Sequence, residues 1–196
     1  MKSFWRWAGT IFFALAFLFL VLTGIGTSLP IDHHAVCSTT YETRQATLFA
    51  AVDNDDASVQ WRPEIKRAVL VSGRGPTAVW RETDSHGGEM TYRTTAYAYG
   101  NALARTIDYV PGMPFAGTWT YDFYPQKLPE QISRGATIVA ITEDGRIYNP
   151  FFRFLARYVF GYTQSMVTYL EDLGKMTHEK PRIVCSANGR IVTNAR

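Results

Sequence analysis

The chain has 196 residues and a formal net charge of +3, with 46% hydrophobic, 14% aromatic and 19% charged residues. That balance buries enough apolar surface to fold, which excludes a disordered chain, and the length leaves room for one domain, not a repeat array or a multidomain enzyme. Lys2 and Arg6 supply most of the positive excess; the remaining bases are scattered singly, so no electrostatic footprint for nucleic acid exists.

Residues 7–31 carry no charge and are rich in Phe, Leu, Val and Ala. A bilayer core needs about 20 apolar residues as helix, whereas a cleavable signal has about 7 to 15 followed by a small-residue cleavage site. The densest part, 11–22, approaches signal length, but no Ala-x-Ala follows it and Gly26-Thr27-Ser28 is a weak substitute. Residues 1–31 therefore read as an uncleaved transmembrane anchor, with a cleaved signal peptide as the alternative. Lys2 and Arg6 precede the span and the first base beyond it is Arg44. The positive-inside asymmetry then predicts a single-pass protein of the inner (plasma) membrane with its C-terminal domain on the extracytoplasmic side. Cys37 and Cys185 are the only cysteines. An oxidising exterior permits a bridge between them, but two unpaired thiols fit as well, because spacing does not bring two Cα atoms within bonding range.

After the anchor, residues 34–41 have the Val, Thr and Tyr content of a strand. Two short helices are expected next, over 44–52 with Thr43 as N-cap, and from Asp55 or Asp56 to a stop before Pro63. Strands follow at 65–72, 77–83, 89–97, 103–110, 115–124 and 136–142, separated by Gly- and Pro-rich punctuation, as in an antiparallel meander. Asp144-Gly145 reads as a turn. Asn149-Pro150 opens a helix over 150–173, Asn as the cap and Pro where its missing N–H costs nothing. Phe151, Phe154, Leu155, Tyr158, Phe160, Tyr162, Met166, Tyr169, Leu170 and Leu173 recur mostly three or four apart along it, and Gly174 suits a stop. Residues 179–196 are a basic tail whose Asn188-Gly189 suits a small hairpin, disorder being the alternative.

One antiparallel sheet and one long amphipathic helix have an economical solution, in which the sheet curls around the helix and buries it. At the two-residue strand period, Phe115, Trp119, Tyr121 and Phe123 share one face. Met90, Tyr92, Thr94 and Ala96 form another row, as do Leu103, Arg105, Ile107 and Tyr109, and Ala78, Trp80 and Glu82. Bulky rings with an occasional polar group suit an apolar cavity, with Trp80, Tyr92 and Arg105 as candidate ligand-binding residues; a solid core whose Tyr and Trp tips reach solvent fits the same rows.

Reactive chemistry is sparse. Asp53, Asp55 and Glu64 occupy positions one, three and twelve of an EF-hand-like loop, but Ala57 and Ser58 stand where a ligand and the turn glycine belong, so no metal site is assigned. His33, His34, His86 and His178 lack ligand spacing and are expected to be solvated. There is no nucleophile elbow, P-loop or dinucleotide fingerprint, and neither a catalytic residue nor a cofactor is assigned. Glu82, Arg105 and Asp108 are the internal acid–base candidates, for which ion pairs on the sheet surface are the simpler account.

The order of elements, together with Trp61-Arg62-Pro63, the run from Pro114 through Gly117-Thr118-Trp119-Thr120-Tyr121, and Glu143-Asp144-Gly145-Arg146-Ile147-Tyr148-Asn149-Pro150 opening the terminal helix, resembles the SRPBCC superfamily over about residues 34–178. This is the helix-grip group of START domains and polyketide cyclases. The resemblance implies an α+β fold in which a seven-stranded curved antiparallel sheet grips a long C-terminal helix, with a hydrophobic tunnel between them for lipids, sterols or polyketides. It also implies that Trp61, Trp119, Tyr121, Phe154, Tyr158, Tyr162 and Met166 line that tunnel. Residues 32–178 are thus expected to form a membrane-tethered domain that binds a hydrophobic small molecule or lipid without transforming it. A cyclase or aromatase-type enzyme and a non-catalytic envelope adaptor with an unknown protein partner are the alternatives.

Overall fold

A computed structural model describes residues 2–126, 135–187 and 190–192 of the chain. Helix α1 (Lys2–Thr27) contains the stretch Trp7–Thr27, 21 residues with a mean hydropathy of 2.4, which among the described residues is long and apolar enough to cross a membrane. Phe12, Phe13 and Phe17 project from it without protein neighbours to cover them, and only its C-terminal part touches the remaining chain.

Strand β1 (Asp32–Tyr41) leads into helices α2 (Gln45–Asp53) and α3 (Asp55–Ser58). The meander follows as β2 (Ile65–Ser72), β3 (Val79–Asp84), β4 (Glu89–Ala98), β5 (Ala102–Ile107), β6 (Phe115–Gln126) and β7 (Ala136–Ile147). β7 pairs with β1, and β1 pairs on its other side with β8 (Val184–Ala187), which pairs with β9 (Arg190–Val192). The antiparallel sheet therefore runs β2-β3-β4-β5-β6-β7-β1-β8-β9, nine strands among the described residues. Seven were expected; the extra two come from the segment read as a tail, which gains backbone partners by extending the edge left open at β1. Asn188 and Gly189, where a hairpin turn was expected, and most of the β6–β7 connection lie outside the described residues.

The fold is α+β, with a curved antiparallel sheet gripping a C-terminal helix. That helix differs from the continuous one expected. Helix α4 (Pro150–Leu155) starts at Asn149, whose Oδ1 accepts from the N–H groups of Phe151 at 2.9 Å and Phe152 at 3.3 Å. A π-helical turn follows over Ala156–Phe160, and the chain then breaks at Gly161, with φ 77° and ψ 163°, a conformation that a side chain makes costly. Helix α5 (Gln164–Met176) resumes beyond it and presses Met166, Leu170 and Leu173 into the core. It also passes Gly174, where a Cβ would come within 2.5 Å of the Pro181 ring, so this glycine serves close packing and does not stop the helix.

Two further differences have the same steric origin. Asp144-Gly145 is not a turn but part of β7, paired with both β1 and β6. A Cβ on Gly145 would lie 2.2 Å from the His33 ring, so glycine is required by close approach within the sheet. β1 also starts two residues earlier than expected, which adds His33 to the inward row completed by Ala35, Cys37, Thr39 and Tyr41. The Tyr41 hydroxyl donates to the Leu170 carbonyl at 2.6 Å, tying β1 to α5, and burial pushes its phenol well above the ordinary value.

Cys37 and Cys185 face each other across β1 and β8, with Cα atoms 4.1 Å apart and sulfurs bonded. The bridge spans 148 positions, and in the chain-entropy treatment a loop of that length is worth about 5 kcal/mol through the unfolded state. Replacing both residues (Cys37→Ala with Cys185→Ala) should lower the denaturation free energy of the detergent-solubilised chain by about 2 to 5 kcal/mol, read from chemical unfolding curves, and reducing agent should then leave the variant unchanged.

Candidate functional site

Between the inner face of β3 to β7 and the segment from α4 to α5 lies a cavity of about 740 Å³. It follows from the broken helix: α5 covers only part of the concave sheet, while the π turn and Gly161 swing α4 away. Trp119, Tyr121 and Tyr169 form its aromatic wall, with ring centroids 5.4 to 6.1 Å apart in edge-to-face or tilted contacts. Met90, Ile107, Phe115, Phe152, Leu155 and Phe160 add apolar surface.

The deep end is polar. Arg62 lies in the turn before β2, and its Nη1 and Nη2 donate to the two oxygens of Glu82 on β3, at 2.6 and 3.3 Å. Tyr92 on β4 donates its hydroxyl to the same carboxylate at 2.9 Å. Arg105 on β5 pairs with Asp55 of α3 and donates through Nη2 to the Val52 carbonyl at 2.8 Å. Its Nε has no protein partner. Both guanidinium groups also sit over tyrosine faces, Arg62 at 5.1 Å from the Tyr169 centroid and Arg105 at 5.4 Å from that of Tyr92. Glu82 and Arg105 are only 3% and 6% exposed, so these charges are not the surface pairs expected from sequence. Asp108 does form such a pair, with Arg93 at 2.6 Å.

The electrostatics follow from burial and pairing. Burial is the largest single influence and works against both cations, but Glu82 with Tyr169 and Tyr121 at Arg62, and Asp55 with Tyr92, Tyr121 and Tyr169 at Arg105, together outweigh it, so both remain charged. Burial, only partly countered by Arg105, lifts Asp55 to about 6. Burial likewise raises the phenols of Tyr92 and Tyr169 well above their ordinary value and that of Tyr121 to about 12, so all three keep their protons as donors. Arg62 also reaches Glu64, Nε to Oε1 at 3.1 Å, so each carboxylate of the cluster is engaged by a guanidinium, and the result is a charge-paired, hydrogen-bonded floor suited to receive an oxygen-bearing group of a mostly apolar molecule.

Of the candidates named from sequence, the cavity brings together Tyr92, Arg105, Trp119, Tyr121 and Tyr162. The others lie elsewhere. Trp61 packs edge-on against the far side of Tyr169, and Trp80 sits beyond the cavity against Ala78, Tyr92, Met90 and Ile107. Met166 is on the core face of α5, and Phe154 and Tyr158 stack on each other at 5.1 Å outside the cavity, because the π turn rotates their helix face. Sequence reasoning passed over Arg62, Tyr169 and His33. Tyr169 was legible in the helical period, while Arg62 sits in a turn and has no periodic signal. His33 is not solvated: its side chain is 7% exposed, stacks on Tyr162 at 4.7 Å and places Nε2 3.4 Å from Glu143.

No family model matches the chain, and no curated protein matches it. Solved structures share its fold. A START superfamily protein from Mycobacterium smegmatis aligns at 15% identity over 74% of this chain and 97% of its own length, with a TM-score of 0.58. The Zhui aromatase/cyclase from a Streptomyces species aligns at 10% identity over 75% of this chain and 94% of its own, with a TM-score of 0.60. A conserved protein from Geobacillus kaustophilus gives 9% identity, 76% and 98% coverage, and a TM-score of 0.58. At such identities the likeness is one of fold: the chain beyond its N-terminal helix has a START-like helix-grip architecture.

Two predictions follow from the floor. Glu82→Gln takes the bidentate partner from the buried Arg62 cation and leaves it Glu64 alone, and should cost about 2 kcal/mol of stability, whereas Tyr92→Phe, which removes one hydrogen bond to a carboxylate, should cost about 1.5 kcal/mol, both read from denaturant midpoints in detergent. Asp55 sits at about 6 in the folded chain against an ordinary 3.8, so between those values the folded state holds a proton that the unfolded state has released. Its contribution to stability therefore falls as pH rises from about 4 to about 6 and is level above that. Asp55→Asn should remove that slope in unfolding curves taken across the window.

Proposed function

We propose that this chain is a membrane-tethered, non-catalytic domain that binds a hydrophobic small molecule or lipid in its internal cavity. The observation that carries the reading is the cavity of about 740 Å³, apolar along its walls and polar at the floor of Arg62, Glu82, Tyr92 and Arg105. Burial would supply the affinity, at about 25 cal/mol per Å² of apolar area removed from water, and the floor would orient the ligand. Arg105 and Arg62, each paired with a carboxylate, would give that floor its fixed positive groups.

The tether is the exposed, apolar Trp7–Thr27 stretch, which has no protein core to cover it and for which a bilayer is the fitting solvent. The proposed placement is single-pass in the inner (plasma) membrane, with Lys2 and Arg6 on the cytoplasmic side and the helix-grip domain outside. The Cys37–Cys185 bridge supports an oxidising compartment. Residues 1–31 are then the anchor and 32–178 the ligand-binding domain, with the following strands as its edge.

Native mass spectrometry of the full chain extracted from its own membrane is the test. The expected result is a co-purifying apolar molecule, whose occupancy falls at least tenfold in Thr168→Trp, a variant that places an indole in the cavity from α5 while leaving the thermal midpoint within a few degrees. An empty cavity in the wild-type chain, or equal occupancy in the two, would count against the proposal.

A further inference from the structure

The end of α1 and the mouth of the cavity meet in one place. Gly26 packs so closely on Pro150 that a Cβ there would lie 1.8 Å from the Pro150 carbonyl oxygen. The Phe151 ring reaches that of Phe19, with centroids 4.9 Å apart, and Arg153 Nη1 donates to the Leu29 carbonyl at 3.2 Å. Helix α4 is thus held against the last turns of the apolar span. At 1.5 Å rise per residue, Phe19 lies about 12 Å inside the Thr27 end, so Phe151 is at the depth of acyl chains when α1 spans a bilayer.

The surface that continues from this contact is apolar. Phe152 of α4 and Tyr158, Val159 and Phe160 of the π turn are exposed, Phe160 to 63%. Across the mouth, Tyr109, Val110 and Phe115 around the β5–β6 connection are exposed as well, and that connection is joined to the start of α4 by the Tyr148 N–H donating to the Pro114 carbonyl at 2.8 Å. Phe115, Phe152 and Phe160 both line the cavity and face outward. Two apolar lips therefore flank the opening, on the side where the anchor emerges.

We propose that α4 and the π turn lie at the boundary of the leaflet into which α1 emerges, with their rings in its hydrocarbon, so that the cavity opens laterally into that leaflet and is loaded with an amphiphile drawn from the bilayer. The inference rests on the tethered, ligand-binding reading above. An interfacial helix of this kind buries its apolar face among acyl chains while its cations remain at headgroup level, which suits Arg153 at the Leu29 carbonyl and the exposed Arg157.

The full chain carries no free thiol, so single-cysteine fluorophores can be placed on it in phosphatidylcholine–phosphatidylglycerol nanodiscs. Labels at Leu15→Cys in the anchor, Phe160→Cys at the lip and Tyr99→Cys at the opposite end of the domain are compared for quenching by lipids spin-labelled at acyl carbon 5. Strong quenching at 15 and 160, severalfold above that at 99, is the expected pattern. Quenching at 15 with position 160 no more quenched than 99 overturns the lateral mouth while leaving the anchor intact; no quenching at either 15 or 160 brings down both. For loading, Val159→Asp, on the exposed lip outside the cavity lining, should slow uptake of disc-resident pyrene-decanoic acid about tenfold, read as tryptophan-sensitised pyrene emission, with binding from micelles unchanged within twofold. Equal uptake rates overturn the loading route, and no binding by either delivery brings down the cavity reading along with it.

Discussion

A concave sheet must be closed by something, and here the closing element is interrupted. Gly161 adopts a backbone conformation that suits glycine, and the π turn before it changes the direction of the chain between α4 and α5. Had the helix run straight from Asn149 to Met176, its apolar side chains would have lain along the length of the sheet and filled the hollow. Because it breaks, α5 alone provides the grip, through Met166, Leu170 and Leu173, and the space that α4 vacates is the cavity. The same break delivers α4 to the end of α1. Cavity, mouth and anchor contact are three consequences of one local departure from helical geometry.

The cavity floor shows how buried charge is made tolerable. Its charged groups are paired with opposite charges: Arg62 with Glu82 and Glu64, and Arg105 with Asp55. Burying any one of them alone is expensive; together the guanidinium and carboxylate charges offset one another, the Arg62 fork holds both oxygens of Glu82, and tyrosine faces contact the cations. Such a set adds less stability than its Coulomb attraction suggests, since desolvation offsets much of it. What it provides is a rigid polar end to an otherwise greasy pocket. Position along the cavity thereby becomes chemically distinct, which an all-apolar hollow cannot achieve.

Most of the elements were legible as sequence because period and punctuation carry them. The two-residue period puts Tyr92, Arg105, Trp119 and Tyr121 on one surface, as expected, but the rows fail at their ends: a bulge after Thr94 turns Tyr97 inward in place of Ala96, and Tyr109 lies exposed beyond β5. Glycine was the main source of misreading. Gly145 and Gly174 look like a turn and a helix stop, yet they are small because His33 and Pro181 approach them from elsewhere in the chain. Extending β1 by two residues would have put His33 in the buried row, a signal that was present at the period of two. Arg62 offered none, since its role depends on Glu82 arriving from a neighbouring strand twenty positions later.

The amino-acid order alone settles local matters: an apolar helix at the N-terminus, a meander of short strands, an Asn-capped terminal helix and the faces on which bulky residues fall. These depend on near neighbours in the chain, through hydrogen bonding, capping and side-chain period. The pairing of Cys37 with Cys185, the Arg62–Glu82 and Arg105–Asp55 contacts, the hollow beneath the broken helix and the meeting of Phe19 with Phe151 became visible only with the chain folded. Each joins residues distant in sequence, and such distances are set by how elements pack together, which no local pattern encodes.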